Sequence, residues 1–251
     1  MRIAVAGGTG VVGQYVVRAL NEAGHEPVVL ARARNVDIIS GAGLDEALVG
    51  VEAVVDASNI ATSNRKKATA FFETGTTNLI QAGKRAGVSH HVVLSIVGID
   101  RAPLGYYQAK LRHEAVALGS GIGCSVLRAT QFHEFAGQVL QRVPGPIAFI
   151  PPVQTQPIAA REVGEALAAL AVGAPVGMAG DLAGPEVHHL PDLCRQTLRA
   201  QGRKRPVVRF PLPGKAGKAM ASGALLPVGD GPRGTETFAE WLGATYPLTT
   251  A

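Results

Sequence analysis

Acidic residues vanish from a long stretch of this chain, and cysteines and aromatics are scarce throughout. Cysteine occurs twice in 251 residues and aromatics make up 5%. Cys124 and Cys194 are too far apart for any zinc or redox-dithiol spacing, so both read as reduced, buried thiols of a cytoplasmic protein. No apolar run is long enough to cross a bilayer, the nearest being residues 166–178, and no membrane contact is expected. Arg2 before an apolar stretch has the outline of a signal peptide. Gly7, Gly8, Gly10 and Gly13 break that outline, and no small-residue cleavage site follows. The histidines promise no metal site. His90–His91 and His188–His189 are adjacent pairs whose side chains point to opposite faces of a strand, His113 falls off the helical face of Lys110, and His133 with Glu134 could border a pocket.

The missing acids leave a basic stretch. Arg195, Arg199, Arg203, Lys204, Arg205, Arg209, Lys215 and Lys218 fall between residues 195 and 218 without one carboxylate. The whole chain carries 24 basic and 19 acidic residues, so removing these eight leaves 16 against 19. Phe210 is the lone aromatic among them and no helix-turn-helix or zinc pattern is present, so a solvated face is expected rather than a nucleic-acid partner. A third reading is that part of the stretch attracts an anionic cofactor or substrate.

What is present is an alternating pattern. Apolar runs at 2–6, 27–31, 52–57, 91–97 and 124–128 are separated by helix-like segments at 11–23, 66–86 and 105–118. Gly24, Gly87 and the glycines at 119, 121 and 123 punctuate the helix ends. The alternation predicts an α/β fold: a Rossmann-like, doubly wound parallel sheet with a small C-terminal substrate lobe. Pro144, Gly145, Pro146, Pro151 and Pro152 mark a change of character, giving residues 1–150 as the dinucleotide-binding domain and 151–251 as the smaller lobe, exchanging elements with the first. One interval departs from the pattern. Only about four residues separate the second apolar run from Val36–Ser40, whereas a parallel crossover needs a dozen or more. Val36–Ser40 is either a short edge strand or no regular strand, and in both cases the adenine side of a nucleotide site is left more open.

Gly7, Gly10 and Gly13 follow an apolar strand and open a helix, as a phosphate-binding turn requires. The first permits the tight turn, the second lets backbone approach a pyrophosphate, and the third permits close helix–sheet packing. Arg32 lies where an NAD-binding chain carries an acid, nineteen residues beyond Gly13, and with Arg34 close by it can pair with the 2′-phosphate of NADP. A surface arginine pair is the alternative, and Asp37 competes as a ribose ligand. NADP(H) is the expected cofactor and NAD(H) the alternative. Tyr106 and Lys110 are four residues apart, hence on one helical face, and a phenol beside an ammonium is a good proton donor. Ser95 ends the strand before that helix, where its hydroxyl could meet a substrate carbonyl or merely satisfy the following turn.

These motifs together resemble the atypical short-chain dehydrogenases/reductases, in the NAD(P)H-binding branch called NmrA-like. The resemblance rests on Gly-Gly-Thr-Gly-Val-Val-Gly at 7–13, Val-Val-Asp-Ala-Ser-Asn at 54–59, Gly-Thr-Thr-Asn-Leu at 75–79 and Ala-Gly-Val at 86–88. It continues in Leu-Ser-Ile-Val-Gly at 94–98, Tyr-Tyr-Gln-Ala-Lys at 106–110 and Leu-Arg-Ala-Thr-Gln-Phe at 127–132. It implies that Gly7, Thr9, Gly10, Val11, Val12 and Gly13 hold the pyrophosphate and Arg32 the 2′-phosphate, with Ala57 and Ser58 lining the cofactor. It further implies Tyr106 as proton donor, Lys110 on the nicotinamide ribose, Ser95 orienting substrate, and Thr130 and Gln131 at the nicotinamide edge. Phe72 stands where extended relatives often carry asparagine. The resemblance implies an NADPH-dependent reductase of a small carbonyl-type substrate, with a cofactor-binding redox sensor as the alternative. Substrate identity and oligomeric state are not legible.

Overall fold

Valine, isoleucine and alanine dominate the first strands because both faces of a helix-covered parallel sheet are buried. Ile3, Ala4, Val5, Val54, Val55, Val92 and Val93 are fully enclosed. The structure, a computed structural model, describes residues 1–247. In chain order its elements begin β1 (Arg2–Ala6), α1 (Gly13–Glu22), β2 (Glu26–Leu30), α2 (Leu44–Ala47), β3 (Ala53–Asp56), α3 (Arg65–Ala86), β4 (His90–Ile96), α4 (Gly105–Leu118) and β5 (Gly123–Ala129). They continue α5 (Phe135–Arg142), β6 (Ala148–Ile150), β7 (Gln154–Thr155), α6 (Ala160–Val172), β8 (Gly177–Met178), β9 (His188–His189), α7 (Leu190–Ala200), β10 (Val207–Arg209), α8 (Gly214–Ala221) and α9 (Phe238–Thr245). The described residues form two compact units, one of residues 1–96, 104–128 and 161–180, the other of 97–103, 129–160 and 181–247.

The first unit is a Rossmann-like α/β fold around a six-stranded sheet in the order β2-β1-β3-β4-β5-β8. The pairs β1–β2, β1–β3, β3–β4 and β5–β8 are parallel. From β1 the chain steps to one side for β2 and crosses to the other for β3. The carboxyl ends of β1 and β3 therefore frame the switch point where such sheets bind ligands. The long helix α3 starts on Asn64, whose side chain accepts from the Lys67 N–H at 3.1 Å, and stops at Gly87 with φ of +81°.

The irregular interval after β2 resolves as the second of the two options. Val36–Ser40 is not a strand: a 3-10 turn at Arg32–Arg34 leads through further turns into the single-turn helix α2. Asp37 folds back to accept the Ile39 N–H at 2.8 Å, so its carboxylate organises its own turn. Asn78 of α3 donates to the carbonyls of Ile38 and Ile39, each at 2.9 Å, clamping this short crossover onto the sheet's helical layer.

The second unit has two small sheets, β6 with β10 in parallel and β7 with β9 antiparallel. Arg205 donates to the carbonyls of Leu140, Val143 and Pro144, and Arg195 donates to Val207 O at 2.9 Å while pairing with Asp192. Part of the basic stretch thus serves the packing of this unit. Among the described residues, no helix is long and apolar enough to cross a membrane.

Candidate active site

The turn after β1 is shaped by what cannot fit in it. Gly7 has φ of +75°, and a Cβ there would lie 2.7 Å from Ala57 O, so the loops after β1 and β3 touch at the switch point. A Cβ on Gly13 would come within 2.0 Å of Gly7 O, which explains how α1 begins directly against the turn. The turn is closed by Gly10 N–H donating to Gly7 O at 2.8 Å. Val12, the residue preceding α1, offers no side-chain cap and no acid sits in the first turn, leaving the positive end of the helix open to an anion. Thr9 and Gly10 are exposed, Val11 is half-buried, and Val12 is anchored in the core, so Val12 contributes through backbone alone.

Arg32 and Arg34 extend from the 3-10 turn beyond β2, both exposed, and neither makes an ion pair among the described residues. Ala57 and Ser58 follow β3. Ala57 N–H continues the ladder to Ala6 O at 3.0 Å, and Ser58 N–H is held by Asp56 Oδ1 at 2.9 Å. A glycine turn with no room for side chains, an uncapped helix start and two unpaired guanidinium groups fit an anionic dinucleotide.

The helix α4 buries an unusual stripe: Ala109, Lys110, His113, Glu114 and Ala117. Tyr106, one turn earlier, is half-buried and donates to Asn59 Oδ1 at 2.6 Å, with its ring edge-on to Phe72 at 5.9 Å. Lys110 turns inward. Its Nζ donates to Leu94 O of β4 at 2.7 Å and meets His113 Nδ1 at 2.9 Å. His113 Nε2 lies 3.0 Å from Asp56 Oδ2. Phe72 covers the group, stacked on the His113 ring at 5.0 Å and 4.5 Å from Lys110 Nζ.

An ammonium has no acceptor, so His113 Nδ1 must accept from Lys110 and its Nε2–H must donate to the Asp56 carboxylate. The neutral imidazole separates one positive from one negative charge. Burial lowers the Lys110 pKa to about 8 against the pull of Asp56 and Glu114, and burial together with the Lys110 charge lowers that of His113. Burial alone would raise the Asp56 carboxyl. The His113 ring, with smaller contributions from His91 and Ser58, more than reverses this and holds it below the usual carboxylate range.

Ser95 belongs to a second buried network. Its hydroxyl donates to Glu114 Oε1 at 2.5 Å, and Arg128 grips both Glu114 oxygens at 2.9 and 2.8 Å. Strand alternation puts Ser95 on the face opposite its neighbours Leu94 and Ile96. Its hydroxyl is engaged with Glu114 in this structure. Thr130, in the second unit, is likewise engaged, donating to Gln156 O at 2.5 Å, and Gln131 accepts from Thr155. Tyr107 is largely enclosed, which pushes its phenol up to about 12. No role for Asp56, Asn59 or His113 was legible in the sequence. For His113 the available signal was its i,i+3 spacing from Lys110, which brings two helical side chains together as readily as i,i+4. No group of three or more metal-binding side chains occurs among the described residues.

The comparisons fall in line with this geometry. Residues 3–98 match the model of the NAD dependent epimerase/dehydratase family. A chloroplastic divinyl chlorophyllide a 8-vinyl-reductase of Cucumis sativus is 27% identical over 172 residues, 56% of this chain and 41% of that protein. The chain thus spans about two-fifths of the length of that relative. An NADPH-dependent quinone oxidoreductase of Escherichia coli, solved with NADPH, superposes with a TM-score of 0.73 at 21% identity, covering 97% of this chain and 99% of its own. A Citrobacter sp. triphenylmethane reductase, solved with NADP(H), gives 0.73 at 15% identity, covering 98% and 100%. The chain thus matches the epimerase/dehydratase family's model over residues 3–98 and shares the fold of these two reductases across nearly its whole length.

Proposed function

We propose that the protein is an NAD(P)H-dependent oxidoreductase, with NADPH favoured, that reduces a small ketone, aldehyde, quinone or imine. The observation that carries this is the pairing of a side-chain-free anion turn at the β1–β3 switch point with Tyr106, held by Asn59 just beyond β3. NADPH is favoured because Arg32 and Arg34 meet no carboxylate among the described residues. The two superposed reductases were also solved with that cofactor.

When bound, the nicotinamide supplies hydride. The chain's part is to bind phosphate at the turn and deliver a proton from Tyr106 Oη to the developing oxyanion or nitrogen anion. At rest that proton is directed to Asn59 Oδ1, so an incoming substrate atom must displace Asn59 as acceptor. Rotation of the Asn59 amide would then present Nδ2 to the phenolate. Lys110 contributes a fixed positive charge one turn from Tyr106, held by Leu94 O and His113.

A second reading, a cofactor-binding sensor without turnover, is favoured by the commitment of Ser95 to Glu114. A panel of acceptors assayed for NADPH oxidation separates the two. Tyr106→Phe should leave NADPH affinity nearly intact and lower turnover by roughly 10²–10⁴. Tight NADPH binding with no acceptor turned over would favour the sensor.

A further inference from the structure

The second unit carries an apolar surface that the proposed chemistry does not use. In β6 the burial alternates: Ala148 and Ile150 are enclosed while Phe149 is 52% exposed. Val208 pairs with Phe149 across the parallel ladder and therefore shares its face. The ladder continues through Phe210 N–H to Ile150 O at 3.0 Å, so Phe210 lies on that face too, 55% exposed and edge-on to Phe149 at 6.1 Å. Ile147 and Leu212, two residues out along each strand, are also exposed. The outward side of this small sheet is therefore all hydrocarbon, with two phenylalanines at its centre.

The unpaired charge of the segments flanking its two strands has one sign. Residues 135–160 and 193–229 contain no aspartate or glutamate. Arg142 precedes the first strand, Arg203 and Lys204 precede the second, and Lys215 and Lys218 follow it; all are exposed, and none makes an ion pair among the described residues. Asp192 engages Arg195 and Arg209 but reaches none of these five.

We propose that this face docks on an anionic lipid bilayer, phenylalanines in the acyl boundary and cations on the headgroups. This departs from the sequence-level expectation of no membrane contact, which concerned spanning segments. Three features favour a bilayer over other occupants. A second copy of the chain, joined symmetrically, would bring like charges together. A nucleic acid would meet aliphatic groups with nothing to offer it, and the two rings pack against each other instead of standing free to stack on bases. A protein partner would need polar groups to fix its register, and the five side chains on this face supply none. A lipid surface needs only apolar area and positive charge.

The test is flotation of the full chain with vesicles of phosphatidylcholine alone and with about one-third phosphatidylserine, at low and high salt. Binding is expected only to the anionic vesicles, weakening as salt rises. The double variant F149S/F210S, altered at exposed positions, should lower the bound fraction by about tenfold or more. Arg203→Glu with Lys204→Glu should do the same, and Arg18→Glu, on the first unit, should change nothing. Circular dichroism and NADPH affinity establish that each variant is folded. Failure of the unmodified chain to float, or equal binding to neutral vesicles, overturns the proposal. So does concentration-dependent self-association, or capture by an acidic protein, that is abolished by F149S/F210S without any vesicle binding.

Discussion

Lys110→Met should cost the protein little or no stability at neutral pH, although it deletes a buried, doubly hydrogen-bonded charge. Methionine reproduces the length and apolar stem of lysine, and the Phe72 ring that covers the ammonium would accept a thioether as readily. Lowering of the Lys110 pKa from 10.5 to about 8 corresponds to roughly 3 kcal/mol against the charged form in the folded state. The variant removes that penalty but orphans His113 Nδ1 and takes a donor from Leu94 O, which costs about 1–3 kcal/mol. The two nearly cancel, as happens when a buried charge is replaced by an apolar side chain of similar size. His113→Leu is the contrasting change. It leaves both Lys110 and Asp56 charged and stripped of their shared partner, at a cost of about 3–5 kcal/mol. Urea denaturation at pH 7 would measure both. The pH dependence adds a second check. Between about pH 8 and 10.5 the unfolded chain still holds the Lys110 proton that the folded one has released, so this residue makes the unmodified protein more stable as pH rises. Any advantage of Lys110→Met should therefore fade toward pH 10. A loss of 3 kcal/mol or more by Lys110→Met at pH 7 would refute the argument, showing that the ammonium is net stabilising in its pocket.

Two further outcomes follow from the same geometry. Arg32→Ala should narrow the preference for NADPH over NADH by about 1.5–3 kcal/mol, the loss of one charge-assisted phosphate contact, read by fluorescence titration with both cofactors; equal affinities in the unmodified protein would sink the assignment. Burial pushes the Cys124 thiol up to about 11 and Cys194 up to about 12. Neither should therefore react with a thiol-directed disulfide reagent at pH 7 until denaturant is added, and rapid labelling of the folded chain would contradict that.

The first half of the fold could be read from the sequence because its signals are local. Apolar runs bounded by glycine locate β1 to β5 within a residue or two, and α3 and α4 are read from their start and stop residues. The buried group around Lys110 could not be read in the same way. It joins Asp56 of β3, Leu94 of β4, Phe72 of α3 and two residues of α4, and such a meeting is set by how α3 and α4 lie on the sheet. The partner of Ser95 was hidden for a related reason. Its hydroxyl type is visible, but the face on which it emerges depends on strand parity relative to α4. The pairing of β6 with β10 links segments nearly sixty residues apart and has no turn between them to announce it.

The interleaving of the two units has a consequence for synthesis on the ribosome. The large sheet ends in β8, and the first unit also draws on residues 161–180, so it cannot be completed until residue 180 has left the exit tunnel. By then residues 97–103 and 129–160 of the second unit have already emerged, and they must wait for partners that are still being translated. Among those waiting residues are Phe149 and Ile150, whose strand partners arrive only with Val208 and Arg209. For the time it takes to translate nearly sixty further codons, that apolar segment has no ladder to join, and a chaperone would find it there.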